Sequence, residues 1–336
     1  MITVTTNMPS SKTIVHWQVS KFCEKSCHYC TAYDFMQTIK KDKAVLYHPQ
    51  EKIDLDDKIV ELLPQMVTDG HILLFGGEPT LHPKGIEYFN ELCRVTKDNP
   101  NVVIFLVTHG DIDEAKIRSI NTHGKKEHVV SISYHHYQVD FDEWLGKVKL
   151  WNEYTNALVS SIIPRQHSVW RQYEENMQVL LKSNIPTDIK AELDNKSNIP
   201  DQEGPWHFRE LQQQARTTHS DFIKSLDRRA LTLQDEHTTY NLDSTEKALP
   251  LLPFKTFCDT TQYMIADNRL TKSCNEGKLF EIGLDTTVED INNYCADKSI
   301  VCTKSACSEN RVAFPATIKI IGASLNDPEY RDFINE

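Results

Sequence analysis

From Thr13 to Asn195 the chain repeats one pattern six times, a short apolar, β-branched run followed by an amphipathic stretch. Short apolar runs bounded by turn residues read as buried strands, and their alternation with helical periodicity is that of βα units around a parallel sheet. Strands are predicted at Ile14–Val19, Ile72–Phe75, Val102–Val107, Val129–Ser133, Ala157–Ile163 and Asp188–Leu193, with helices at Leu55–Val67, Gly85–Thr96, Ile112–Ile120, Asp142–Glu153 and Tyr173–Ser183. Six parallel strands are too few to close an eightfold barrel, so the expected α/β fold is an open, partial (β/α)6 TIM-like barrel over residues 13–200, with its chemistry at the C-terminal ends of the strands. Residues 1–12 read as an N-terminal segment and 201–250 as a connector, helical from Trp206 to Leu233. Residues 251–336 read as a small, cysteine-rich α+β domain.

Composition narrows the class. With 39% hydrophobic and 25% charged residues and no apolar run near the ~20 residues that cross a bilayer, no membrane span is expected. The N-terminus lacks the basic start, apolar stretch and small-residue cleavage site of a secretory signal, which predicts a cytoplasmic protein. A net charge of -11 argues against a broad grip on nucleic acid. The clearest basic patch, Lys40, Lys41 and Lys43 around Asp42, reads as a solvated loop face.

The nine cysteines are Cys23, Cys27, Cys30, Cys93, Cys258, Cys274, Cys295, Cys302 and Cys307. Their odd number and clustering point to metal rather than a disulfide framework. Cys23, Cys27 and Cys30 stand on one loop directly after the first predicted strand. Three thiolates on an iron–sulfur cubane leave one iron open to a substrate or cofactor, whereas four would serve electron transfer. A zinc site is the rival reading; His28 is the available fourth ligand, awkwardly adjacent to Cys27. Cys258 and Cys274 bracket a predicted strand, an Asp267-Asn268 turn and a second strand, and Cys302 and Cys307 add a close pair. These four thiolates could hold an auxiliary iron–sulfur cluster or a structural zinc, with Cys295 a spare thiol or substitute ligand. Cys93, in an amphipathic helix, reads as a small buried hydrophobe.

The spacing Cys-x3-Cys-x2-Cys, with Tyr29 before the last cysteine, resembles the signature of the radical S-adenosylmethionine (SAM) superfamily. Gly76-Gly77-Glu78-Pro79, straight after the second predicted strand, resembles that family's GGEP motif. Its two glycines would let backbone approach a ligand, and Glu78 would accept hydrogen bonds from a protonated amine. Thr108-His109-Gly110 stands where the family often has Thr-Asn-Gly, and Ser131 and Ser133 stand where a ribose contact is common. The resemblance implies that Cys23, Cys27 and Cys30 bind a [4Fe–4S] cluster whose open iron is chelated by SAM. It further implies reductive cleavage of SAM to a 5′-deoxyadenosyl radical that abstracts hydrogen from substrate, with a reducing partner such as flavodoxin or ferredoxin.

Arg165, beyond the fifth strand, is the candidate partner of the SAM carboxylate, and Glu192 or Asp194 of a polar substrate or ribose. The run from Ser133 to Tyr137 leaves the fourth strand toward the expected site and supplies His135 and Tyr134 as catalytic candidates, a structural imidazole being the alternative for His135. The C-terminal cysteines resemble the auxiliary-cluster extensions called twitch and SPASM domains, the single-cluster twitch type fitting better. The expected activity is that of an oxidoreductase or maturase acting on a peptide or small metabolite. The segment before the first strand is too short for a fused leader-peptide recognition domain, so a peptide would need another docking mode. Alternatives are modification of a nucleoside or sugar and, in another class, a non-catalytic iron–sulfur or zinc-stabilised binding or electron-transfer protein.

Overall fold

A computed structural model of the chain describes residues 1–6, 13–25, 27, 49–124, 128–190, 207–217, 230–243, 249–250, 255–259, 262–272, 279–296, 299–302, 306–307 and 317–321, and five residues between 325 and 331. In chain order the elements are β1 (Ile2–Thr6), β2 (Thr13–Ser20), α1 (Gln50–Met66), β3 (Gly70–Gly76), α2 (Gly85–Val95), β4 (Val102–Thr108), α3 (Glu114–Arg118), β5 (Val129–Tyr134), α4 (Phe141–Tyr154), β6 (Asn156–Ile162), α5 (Trp170–Lys182), β7 (Thr187–Lys190) and α6 (Arg209–Thr217). They are followed by β8 (Ala230–Gln234), β9 (Thr239–Asp243), β10 (Leu249–Pro250), β11 (Lys255–Asp259), β12 (Gln262–Ala266), β13 (Arg269–Lys272), β14 (Phe280–Glu281), α7 (Val288–Ala296), β15 (Ser299–Cys302), β16 (Ala306–Cys307) and β17 (Thr317–Ile321). These fall into two compact units, one of residues 17–60 and 72–222, the other of residues 1–16, 61–71 and 223–336.

The first unit is the βα layer the sequence predicts. Its strands are ordered β2-β3-β4-β5-β6-β7, with parallel pairing from β4 through β7. All but one of the β4 residues are buried, as expected of a central strand covered on both faces, whereas β6 alternates strictly between buried and half-buried. Helices α2 and α4 pack on β4 and β6. Asp140 caps α4 by accepting the Glu143 backbone N–H at 3.0 Å, and Asp113 caps α3 at Ala115. That cap makes α3 shorter than the predicted 112–120, because Ile112 precedes the cap. Trp17, Trp144, Trp151, Phe89 and Tyr173 are among the largest fully buried side chains of the core.

The second unit departs from the sequence reading. Segment 1–12 carries β1, which pairs antiparallel with both β17 and β8 in a six-stranded sheet ordered β15-β11-β17-β1-β8-β9. The connector is helical only over α6 among its described residues; its end, predicted helical to Leu233, is strand β8, paired with β9. Long-range pairing overrides local periodicity there, and a five-residue strand announces no partner in its own sequence. The expected hairpin is present: β12 and β13 are joined at Asp267 and Asn268, both at positive φ (50° and 56°), the backbone a tight two-residue turn demands.

Candidate functional site

The site grows from the C-terminal ends of β2, β3, β4 and β5, all within the first unit. Beyond β3 the chain turns back along β2: the Gly77 N–H donates to Ser20 O at 2.8 Å and the Glu78 N–H to Phe22 O at 2.6 Å. A Cβ on Gly76, whose φ is +143°, would lie 2.0 Å from Ser20 O, and one on Gly77 would lie 2.3 Å from Phe22 O. The close approach expected of these glycines is therefore made to the backbone that leads into Cys23. They set where the cysteine loop starts.

Glu78 is fully buried and its carboxylate is already occupied. Oε1 accepts from the Thr80 N–H (3.1 Å), the Thr80 hydroxyl (2.6 Å) and the Thr108 hydroxyl (2.8 Å), and Oε2 accepts from the His109 N–H (2.8 Å). Glu78, Thr108 and the His109 N–H thereby tie β3 to β4, because a buried carboxylate needs several donors. Pro79 opens the short 3-10 turn whose Thr80 supplies two of those donors.

The loop after β2 is stapled to β4. Glu24 Oε1 lies 2.6 Å from His109 Nε2, which is also 3.2 Å from Glu78 Oε2, while Lys25 Nζ meets Asp111 Oδ2 at 2.7 Å and Lys147 Nζ meets Asp111 Oδ1 at 2.6 Å. Burial alone would lower the basicity of His109, but the bond to Glu24 and the charges of Glu78 and Glu24 raise it above the usual imidazole value. Burial opposes ionisation of Asp111 too, and the ammonium groups of Lys147 and Lys25 hold its carboxyl at about 2. The indoles of Trp144 and Trp151 donate to His109 O and Gly110 O, both at 3.1 Å, so α4 fixes the segment that receives the loop.

Two of the three N-terminal cysteines can be described. Burial, together with nearby Glu24, Glu78 and Cys27, pushes the Cys23 thiol up to about 12 despite the Lys25 N–H that reaches its sulfur at 3.4 Å. A bound cation would reverse that, since coordination draws the proton from a thiol outright. Cys27 is buried, with His135 Nδ1 3.0 Å from its sulfur and the Gln138 amide donating to it at 3.3 Å. A sulfur that accepts from the Gln138 amide and has an imidazole nitrogen beside it suits an iron–sulfur ligand, so the residues fit one. Cys30, Tyr29 and His28 lie outside the described residues, as do Cys274, Glu192 and Asp194. No three metal-ligating side chains converge among the described residues.

His135 therefore stands beside Cys27, and burial depresses its basicity to about 3, which leaves it neutral. Tyr134 faces the core, 2% exposed, with its hydroxyl bonded to Asn176 at 2.7 Å and its ring centroid 4.7 Å from that of Trp144. Tyr134 is the last residue of β5 and His135 the first beyond it; Tyr134 bonds to Asn176, whereas His135 meets Cys27. The His136 ring lies tilted against Tyr137 and edge-on to Tyr173. Ser131 and Ser133 are half-buried on one face of β5, and Arg165 is exposed beyond the end of β6. In the second unit Cys258 stands opposite Ile300 and Cys302 opposite Thr256 on the paired strands β11 and β15, and Cys307 stands opposite Leu249. Cys93 is buried within α2 as expected.

Sequence reasoning missed Glu24, Lys25, Asp111, Gln138 and Lys147 and left His109 without a role. The one available signal was the alternation of charge from Glu24 to Lys25 against His109 and Asp111, which becomes legible only when β2 and β4 end at the same level.

Residues 17–189 match a family model described as the radical SAM superfamily. No curated protein sequence matches the chain. Among solved structures, native anSMEcpe with bound AdoMet is similar at 13% identity and a TM-score of 0.45, over 84% of this chain and 80% of that one. BtrN in complex with AdoMet and 2-DOIA is similar at 16% identity and a TM-score of 0.26, over 64% of this chain and 85% of that one.

Proposed function

The chain belongs to the radical SAM superfamily, and from that premise we propose that it is an enzyme whose Cys23, Cys27 and Cys30 hold a [4Fe–4S] cluster with one iron open to SAM. Bound there, cluster and SAM supply reductive cleavage to methionine and a 5′-deoxyadenosyl radical able to take hydrogen from an unactivated C–H bond. The observation that carries the reading is the bonding of the GGEP backbone to the strand end that leads into Cys23, within the matched span: Gly77 to Ser20 O and Glu78 to Phe22 O.

The chain's own residues do the positioning. Glu78, Thr80, Thr108 and the His109 N–H lock β3 to β4 beneath the cysteine loop. The pairs Glu24 with His109 and Lys25 with Asp111 hold the loop over that platform. Ser131 and Ser133 are the proposed ribose contacts, Arg165 the proposed partner of the SAM carboxylate and Tyr29 a further proposed cofactor contact. Neutral His135 is suited to donating one hydrogen bond at the site. The substrate is proposed to be a peptide or small metabolite, and the electron to come from a flavodoxin- or ferredoxin-type partner. An auxiliary cluster is proposed on Cys258, Cys274, Cys302 and Cys307. Supporting it, Cys258 and Cys302 are diagonal neighbours on paired strands, a separation of about 7–8 Å in a ladder of this kind.

Anaerobic reconstitution with iron and sulfide, followed by dithionite and SAM, tests the proposal. Release of 5′-deoxyadenosine is expected, with about eight irons per chain for two cubanes and about four if only the first site is occupied. Stoichiometric zinc with no SAM cleavage under competent reduction would overturn it. Among the described residues no helix is long and apolar enough to cross a membrane.

A further inference from the structure

Sulfur is a weak hydrogen-bonding atom, so two side-chain nitrogens, the His135 ring Nδ1 and the Gln138 amide, converging on one buried cysteine call for an explanation. Both come from the turn that follows β5: the Gln138 N–H donates to His135 O at 2.8 Å, closing the turn, and the closed turn presents the His135 ring and the Gln138 amide to the same atom, Cys27 Sγ, at 3.0 and 3.3 Å. The turn is anchored from behind by Tyr134, whose hydroxyl is held by Asn176 in the core. Neither donor belongs to the cysteine loop; His135 lies 108 positions from Cys27 along the chain.

We propose that the His135–Gln138 turn is a two-donor clamp on the Cys27 sulfur that raises the reduction potential of the cluster this cysteine ligates, His135 donating from Nδ1 and Gln138 from Nε2. The proposal rests on the reading that Cys27 is an iron ligand. Reduction adds one electron to the cluster, and negative charge spreads onto its thiolate sulfurs. N–H donors stabilise that charge more in the reduced state than in the oxidised one, which makes the electron easier to accept. The same stabilisation lowers the driving force for passing the electron onward, so the clamp favours loading of the cluster from its reductant over its discharge. His135 and Gln138 are positioning residues in this sense, acting through Cys27.

The test uses the full-length chain reconstituted anaerobically, with dithionite as electron source and the cluster followed by electron paramagnetic resonance in a redox titration. The cluster in question is the one whose signal changes when SAM is added. His135→Leu and Gln138→Leu remove one donor each, whereas His135→Asn keeps an amide nitrogen where Nδ1 stood. Each Leu variant is expected to lower the reduced-to-oxidised ratio at fixed potential about tenfold, a midpoint shift of about 59 mV to the negative for one electron. His135→Asn should stay near the wild type. Midpoints unchanged in both Leu variants, at wild-type iron content, would overturn the clamp. If His135→Leu takes up no iron, Gln138→Leu and His135→Asn decide alone: a shift in the first without one in the second supports the clamp, and a shift in neither refutes it. Failure of the wild-type chain itself to bind a SAM-responsive cluster would refute the underlying reading of Cys27 instead.

Discussion

Replacing Glu78 by Gln separates two roles for the GGEP carboxylate, ligand binding and internal scaffolding. The change is isosteric but exchanges one carboxylate oxygen for an amide nitrogen. With the remaining oxygen left toward Thr80 and Thr108, the new NH2 faces the His109 N–H, donor against donor, at a position now bridged by a 2.8 Å hydrogen bond. The opposite orientation sets the NH2 against the Thr80 N–H and two hydroxyls. Either way a charge-assisted bond worth about 1.5–3 kcal/mol is lost and a buried N–H is left unsatisfied at about 1–3 kcal/mol. Allowing for partial relaxation, the cost is about 3 kcal/mol, a fall of about 6–12 °C in the first thermal transition at 2–4 °C per kcal/mol for a unit of this size. Far-UV circular dichroism on metal-free protein, without SAM, measures it. A transition within about 1 °C of the wild type would refute the scaffolding role and return Glu78 to the ligand.

The glycines make a sharper demand. Gly76→Ala places a Cβ 2.0 Å from Ser20 O at φ +143°, so soluble expression should collapse or the first transition fall by more than about 10 °C; near-wild-type melting would show that β2 does not run against this turn. For Asp111 the folded pKa of about 2 lies below its unfolded value near 3.8, so its contribution is present above about pH 4 and disappears as pH falls toward 2. Because the side chain is 30% exposed, the contribution is about 1 kcal/mol after screening, and Asp111→Asn should flatten acid-induced loss of stability by that amount in urea titrations at pH 4 and pH 2.5. Tyr134→Phe removes the bond to Asn176 and should cost about 1 kcal/mol in urea denaturation while SAM cleavage continues; abolished cleavage in a folded variant would restore Tyr134 to the chemistry.

The sequence by itself determined the parts governed by short-range geometry. Strand and helix positions from β2 to β7 follow from periods of about 2 and 3.6 residues, and the Asp267-Asn268 turn from the tolerance of those residues for positive φ. The cysteine trio and GGEP are each contiguous, so their resemblance to the family's motifs was legible without a fold. Only tertiary structure decided what meets across long separations. Lys25 and Asp111 lie 86 positions apart, and nothing local at either one specifies the other. Thr108 and His109 are adjacent in sequence, but only the meeting of the strand ends sets them around the Glu78 carboxylate. β1 read as a short lead-in until β8 and β17 paired with it. Backbone periodicity is a property of neighbours along the chain, whereas satisfying a buried charge or an unpaired strand edge depends on every element packed around it.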